Sequence, residues 1–296
     1  MDKGKTEVYL FGGLGNQLFQ YFFGQYLSKI QGLEVLYNFE ISSHFGNNHG
    51  NELIKYFDDE RKELKAKKFI KIRILLLRIF LKLDAIWPKA SRLIHKKLYI
   101  SSKPGWDDYL LNKKNFFKYF GYFQTWRFFT EIKGREIFFS NLKYELSEKY
   151  HLMLQDIRSQ DAIGIHLRRG DYVQLAGTYG LLDIRYYKAA LIQLGANKSS
   201  TIFVFSDEIP SSKKYFRDLE KEYNFRYVEE FNAIESLILL GKCTKICISN
   251  STFGYWGAQL GEPTEVVAPS KWFRNMQDPI DLMPPSWKRI EAIWEG

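Results

Sequence analysis

Two adjacent arginines, Arg168 and Arg169, stand directly after an apolar run, Ala162–Leu167, and are followed by Gly170, Asp171 and Tyr172. If that run is a strand, alternation puts His166 and Arg168 on one face. Two neighbouring guanidiniums at a strand end are costly to bury unpaired. They need an anion, and the planar fork of arginine matches either a carboxylate such as Asp171 or the oxygens of a phosphate. A second run, Thr201–Phe205, ends at Ser206-Asp207-Glu208. A carboxylate there can accept from a ribose or a base, and it can equally cap a helix. A third run, Lys245–Ile248, ends at Ser249-Asn250-Ser251-Thr252-Phe253-Gly254. Small hydroxyl residues entering a helix are N-caps, and the free N–H groups behind them favour an anion such as phosphate. In open α/β sheets ligands bind outside the carboxyl ends of the strands. All three groups fall at such ends, and together they amount to an anion clamp plus a carboxylate, the requirements of a nucleoside-diphosphate site.

The N-terminal turn Gly12-Gly13-Leu14-Gly15-Asn16-Gln17 follows another apolar run, Thr6–Phe11. A dinucleotide fingerprint would need glycine at position 18, where Leu18 stands, which argues against a nicotinamide enzyme. The turn still brings bare backbone close to a partner. No Asp-x-Asp pair is present and the histidines are scattered. No metal or cofactor is therefore expected, and a departing diphosphate would have to be met by Arg168, Arg169 and helix dipoles. Cys243 and Cys247 read as buried thiols in a reducing compartment.

These residues need strands and helices to hold them. With 296 residues, 45% apolar and 26% charged, the chain suits about two folded domains and excludes disorder, collagen and a disulfide scaffold. The first half opens β–turn–α–β, with a helix over Gln17 to about Ile30, a strand at Glu34–Asn38 and a polar loop at 40–60. Aromatics make up 17% of the chain and crowd residues 116–129; such side chains serve cores and sugar-binding surfaces alike. In the second half, strands alternate with helices expected at Ile184–Leu194, around Lys213–Tyr223, at Ala233–Leu240 and at Phe253–Leu260. Further strands are expected at Phe225–Val228 and Glu265–Ala268. That alternation predicts a parallel, doubly wound sheet. The domain boundary is expected near Ser159, giving an acceptor-side domain 1–158 and a donor-side domain 159–296. A last helix at about Ser286–Trp294 is expected to return to the first domain.

The net charge of +9 is unevenly spread. Residues 61–100 hold 13 lysines and arginines against Glu63 and Asp84, a local charge of +11. Lys67, Lys71, Arg78 and Lys82 share a helical face, and Leu75, Leu76, Ile79 and Leu83 fill much of the remainder. Such a helix can lie in an anionic lipid interface or pack on its own domain with snorkelling lysines. The segment 1–11 has no apolar stretch of the secretory kind, and no uncharged window is long enough to span a bilayer. The expectation is a cytoplasmic protein, peripheral at the inner membrane. A polyanion-binding protein without catalysis is the rival from another class. No nucleic-acid motif accompanies the charge, so no nucleic-acid partner is expected.

Three motifs in order, GGLGNQLFQYFFG at Gly12–Gly24, IHLRRGDY at Ile165–Tyr172 and ISNSTFGYWGAQL at Ile248–Leu260, resemble those of bacterial α-1,2-fucosyltransferases of glycosyltransferase family 11. The FSDE at Phe205–Glu208 fits as well. The resemblance implies a GT-B type enzyme, two Rossmann-like α/β domains facing across a cleft. It implies inverting, metal-independent transfer of L-fucose from GDP-β-L-fucose to the 2-hydroxyl of a terminal galactoside or lipid-linked oligosaccharide, in O-antigen or other surface-glycan synthesis. Another GDP-deoxysugar or a non-galactose acceptor is the nearer alternative. By resemblance Arg168 meets the donor phosphate, with Arg169 beside it, and His166 lies near the nucleoside. Ser251, Thr252 and Phe253 meet the diphosphate; Asn250 and Asp207 are further donor-binding candidates, and Glu235 stands where the family's usual Asp is a candidate guanine contact. Asn16, in the turn with Gly13, Gly15 and Gln17, faces the transferred sugar, and Asp171 is the candidate base or an orienter of the arginines. Glu235-Ser236, Leu239-Leu240 and Lys245 depart from the family's usual Asp, Met and His, and Gly254-Tyr255-Trp256 replaces a commoner Ser-Trp-Trp.

Overall fold

The computed structural model describes residues 4–42, 50, 52–57, 74–80, 82, 98–101, 104–108 and 117–296. The chain divides into two compact units, Met1–Tyr144 with Pro279–Met283, and Glu145–Asp278 with Pro284–Gly296.

The first unit is built on a four-stranded parallel sheet of order β2-β1-β4-β3, with β1 at Lys5–Tyr9, β2 at Glu34–Asn38, β3 at Leu98–Ile100 and β4 at Lys118–Phe120. Helix α1, Leu14–Gln31, starts three residues before the expected Gln17 and ends at Gly32 in the left-handed region, φ +70, where glycine carries no Cβ penalty. It is buried along nearly its whole length from Leu14 to Leu27, as a helix that is apolar on most faces must be. The aromatic wealth of the sequence goes into this core. Phe23 stacks on Phe123 with centroids 3.9 Å apart, and Phe22 meets Phe129 edge-on at 4.8 Å. Helix α2, Trp126–Glu131, is capped by the Thr125 side chain and leads into α3, Gly134–Asn141.

Residues 74–80 are helical. Ile74 and Leu77 pack with Tyr9, Phe11, Ile41, Ile100 and Phe120. The same stretch leaves Leu75, Leu76 and Ile79 exposed at 59%, 45% and 43%, and Lys82 is exposed too. The helix therefore packs on its own unit and still presents an apolar ridge. Lys67, Lys71 and Leu83 lie outside the described residues.

The second unit carries a six-stranded parallel sheet of order β10-β9-β8-β5-β6-β7. Its strands are β5 Asp161–Leu167, β6 Ser200–Ser206, β7 Asn224–Tyr227, β8 Lys245–Cys247, β9 Glu265–Pro269 and β10 Lys288–Ile290. Its helices are α4 Glu148–Arg158, α5 Ile184–Gln193, α6 Ile209–Phe216, α7 Ala233–Leu240 and α8 Thr252–Leu260. This is the doubly wound order in which the direction of strand addition reverses between β5 and β8.

Three expectations need correction. The boundary falls at Tyr144/Glu145 rather than near Ser159, because α4 belongs with the second sheet: Glu235 of α7 accepts the backbone N–H of its cap residue Ser147 at 2.7 Å. The stretch expected as a helix at Ser286–Trp294 is not helical: Lys288–Ile290 form strand β10, paired in parallel with β9, and the stretch stays with the second unit. Short apolar spacing does not distinguish the two forms, and the open edge of β9 supplies a hydrogen-bonding ladder. Helix α6 starts at Ile209 with Pro210 in its first turn and ends at Phe216, since proline at a helix start needs no N–H partner. Cys243 and Cys247 are both free and buried, as expected.

Helices α7 and α8 approach through glycines. A Cβ on Gly261 would stand 2.2 Å from the carbonyl oxygen of Gly241. Gly261→Ala must therefore push backbone apart, and we expect it to cost about 1–3 kcal/mol, read as a lower midpoint in urea unfolding.

Candidate active site

The carboxyl ends of β5 and β8, where the strand order reverses, are the place at which open α/β sheets generally take their ligands. Two expected groups meet there. His166, next to the end of β5, shares a 2.9 Å hydrogen bond between its Nδ1 and Ser249 Oγ, and the Ser249 N–H donates to the His166 carbonyl at 3.1 Å. The imidazole lies near-parallel to the Phe253 ring, centroids 5.4 Å apart. Gly254 makes this possible, since a Cβ there would lie 2.7 Å from His166 Nδ1. From the turn after β5, the Tyr172 hydroxyl donates to the Asn250 carbonyl at 3.3 Å. The arginine-bearing turn and the hydroxyl-rich start of α8 are thus joined side by side.

Helix α8 has Ser251 as N-cap, its Oγ accepting from the Phe253 N–H at 3.3 Å, and no acidic residue in its first turn. Its start remains suited to an anion. Thr252 and Phe253 are half-buried there. Asn250 is placed differently from expectation: its buried side chain donates to the carbonyls of Tyr179, Gly180 and Trp272 at 3.0, 3.4 and 3.1 Å. It ties loops together, and only its backbone faces the Tyr172 hydroxyl.

Both guanidiniums are held by carboxylates of the chain. Arg168 Nη2 donates to Asp171 Oδ1 at 2.6 Å, and Nη1 lies 3.2 Å from Asp207 Oδ2. Its centre is 5.4 Å from the Tyr172 ring. The buried Nε has no hydrogen-bond partner among the described residues, an orphaned donor that an acceptor oxygen would satisfy. Gly170 lets Asp207 come this close, because a Cβ there would stand 2.1 Å from Asp207 Oδ2. Arg169 turns to Glu295, a partner 126 residues away for which the sequence offers no local signal. Both arginines are therefore locked to carboxylates of the chain, as the carboxylate alternative expects, with the Arg168 Nε left without an acceptor.

Glu235 departs from its expected place against the donor. It is buried, with Oε1 accepting from the Ser147 N–H and Oε2 from Asn232 Nδ2 at 2.9 Å. Both oxygens are spent on helix starts, so the carboxylate caps α4 and α7. Lys245, where the family's His is usual, donates to the Leu194 carbonyl at 2.8 Å beyond the end of α5.

In the first unit the glycine turn is as tight as its sequence suggests. Gly12 has φ +77, and Gly13 caps α1 without a side-chain bond. Gly15, Asn16 and Gln17 already belong to α1. Asn16 Oδ1 accepts from Gln124 Nε2 at 2.9 Å, a partner not foreseen from sequence. Gln17 is buried and structural: its Nε2 donates to the carbonyls of Gly12 and Gly50, and its Oε1 accepts from the Leu53 N–H. Among the described residues no three His, Cys, Asp or Glu side chains gather as a metal centre.

Burial, and secondarily the nearby Arg168 charge, hold the His166 pKa down at about 3. The imidazole is neutral in the folded protein and gains a proton near pH 6.5 once unfolded. The unfolded state then binds more protons between these values, so stability is complete above pH 6.5 and falls as the pH drops. From pH 6.5 to 5 this one group should remove about 2 kcal/mol. Urea unfolding at pH 7 and pH 5 checks it: His166→Gln should show the shallower loss.

The description "Glycosyl transferase family 11" matches residues 6–289. An α-1,2-colitosyltransferase of Escherichia coli is 28% identical over 95% of this chain and 97% of its own length. The O-antigen biosynthesis glycosyltransferase WbnK of Escherichia coli is 33% identical over 42% of each chain. Among solved structures, NodZ α-1,6-fucosyltransferase soaked with GDP-fucose superposes with a TM-score of 0.52 over 91% of this chain and 96% of its own, at 13% identity, a likeness of fold. The two parallel α/β units, the ordered motifs and the match over nearly the whole length lead to one conclusion: the chain belongs to glycosyl transferase family 11.

Proposed function

We propose that the protein transfers L-fucose from GDP-β-L-fucose, with inversion, to the 2-hydroxyl of a terminal galactoside during assembly of O-antigen or another surface glycan. The observation that carries this reading is the junction at β5 and β8, where the Arg168 turn and the start of α8 meet through His166–Ser249 and Tyr172–Asn250. A diphosphate placed there would take over one of the carboxylate contacts on the terminal nitrogens of Arg168 and accept from the N–H groups opening α8. No metal is called on in this scheme. As the sugar leaves with oxocarbenium character and the acceptor oxygen attacks the opposite face, charge grows on the β-phosphate. Groups fixed beforehand stabilise that charge without reorganising. Asp171, bonded to Arg168, is assigned to orienting the guanidinium.

A second reading keeps the site and changes the sugar. A relative matching over nearly the full length is named for colitose, so another GDP-deoxysugar or a non-galactose acceptor fits the same diphosphate grip. Competition among GDP-sugars, followed by linkage analysis of the product from a panel of β-galactosides, decides between the two. Consumption of another GDP-sugar in preference to GDP-fucose would overturn the first. With the preferred donor, Arg168→Ala should lower turnover about 10²–10³-fold. Arg168→Lys should recover only part, because an ammonium lacks the fork.

The acceptor reading extends to the lipid surface. Leu75, Leu76 and Ile79 project beside Lys82 from a segment of high positive charge, and apolar side chains among cations suit an anionic bilayer. The protein should float with phosphatidylglycerol vesicles at low salt and not with phosphatidylcholine alone. Leu75→Asn with Ile79→Asn should reduce flotation. Equal recovery of the two proteins in the vesicle fraction would remove this part of the proposal.

A further inference from the structure

Arg169 is occupied on two sides. Its Nη1 and Nη2 donate to the two carboxylate oxygens of Glu295 at 2.5 and 3.2 Å, the side-on arrangement in which the arginine fork is strongest. Its centre also lies 4.7 Å from the Tyr215 ring centroid, a cation–π distance. Tyr215 is itself anchored, its hydroxyl donating to the Leu182 carbonyl at 2.6 Å. The fork that a phosphate would use is already filled.

Glu295 is held as firmly as the group it binds. Its N–H donates to the Leu181 carbonyl at 2.8 Å, and its own carbonyl accepts from Arg274 Nη1 at 2.9 Å. Trp294 forms an antiparallel bridge with Leu182, and the Ile293 carbonyl accepts from the Asp183 N–H at 2.8 Å. Gly180, at φ +80, leaves room for the Trp294 ring, which would lie 2.4 Å from a Cβ. The carboxylate is thus presented to Arg169 by a residue whose N–H is held by the Leu181 backbone and whose carbonyl is held by the Arg274 side chain.

The backbone of Arg169 opens the turn that carries the site's other charges. Its N–H donates to Asp207 Oδ1 at 3.2 Å, and its carbonyl accepts from the Val173 N–H at 3.0 Å. Inside that turn Asp171 takes the Arg168 Nη2 donor. Whatever fixes the Arg169 side chain also fixes one end of the frame in which Arg168 is aimed.

We propose that Glu295 is a positioning residue: by clamping Arg169 against Tyr215 it sets the 169–173 turn and, through it, the orientation of Arg168. Arg169 acts here as the anchor of the turn and not as a phosphate ligand. The proposal rests on the reading that Arg168 meets the donor diphosphate. If Arg169 were instead a phosphate ligand, Glu295 would compete with the donor, and neutralising it would tighten binding.

The test uses the full chain and GDP as probe, with affinity from equilibrium dialysis and integrity from the midpoint of urea unfolding. Glu295→Gln, of nearly the same shape, should weaken GDP binding roughly five- to tenfold. In an Arg168→Ala background the same change should have no further effect, a dependence that general loosening of the fold would not show. Exchanging the charges, Arg169→Glu with Glu295→Arg, should restore affinity toward the parent value, while Arg169→Glu alone should not. Tighter GDP binding by Glu295→Gln, an undiminished loss in the Arg168→Ala background, or no change in affinity would each overturn the proposal and leave the functional reading standing. A parent protein that binds no GDP would overturn both.

Discussion

A guanidinium at the end of a parallel strand cannot be left bare. Arg168 leaves β5 at a position that water reaches only in part, and the rest of the candidate site is arranged around its charge. Asp171 and Asp207 take its two terminal nitrogens. One positive group between two negative ones is more than neutralised, so under the proposed function a phosphate replaces a carboxylate contact on the terminal nitrogens. That arrangement keeps the arginine ordered without a ligand, since removing a partner would leave an uncompensated charge. It also restricts position 170 to glycine: Asp207 passes there, and any Cβ would collide with it.

The second constraint comes from the sheet. Chain order reverses between β5 and β8, so no connection crosses the crevice at their carboxyl ends. The protein fills its floor with a buried, uncharged imidazole stacked on Phe253 and hydrogen-bonded to Ser249. The ring is neutral and almost wholly buried beside the helix start. Around the crevice, Asn250 and Glu235 use their polar atoms to hold loops and helix starts. They serve the site by keeping its walls in place.

The first unit solves a different problem with similar means. Its core is built largely from aromatic rings, and buried amides carry the exits of its strands: Gln17 and Gln20 in α1 bind the backbone around Gly12, Leu53, Phe11 and Gly121. These bonds keep the glycine turn compact while leaving Asn16, partnered by Gln124, at the helix start. The helix at 74–80 adds apolar bulk on both of its sides, one used by the core and one left exposed.

Much of this was legible in the residue order. The parallel, doubly wound character of the second half follows from short apolar runs alternating with helix-length segments. Strand ends then locate His166, Arg168, Asp207 and Ser251, since ligand sites lie at those ends. The ordered motifs carried the family, which the match along residues 6–289 bears out. Other features depended on distance in the chain. Whether a carboxylate meets a ligand or a helix start depends on which neighbour reaches it first, and Glu235 found Ser147, 88 residues away. Arg169 looked identical in kind to Arg168 until Glu295 arrived from the far end of the fold. The last segment carried apolar spacing compatible with a helix, and only the open edge of β9 made it a strand. Residue types state which interactions a group needs. Packing decides which of the available partners supplies them, because each buried donor or charge must be satisfied by whatever the tertiary fold brings within reach.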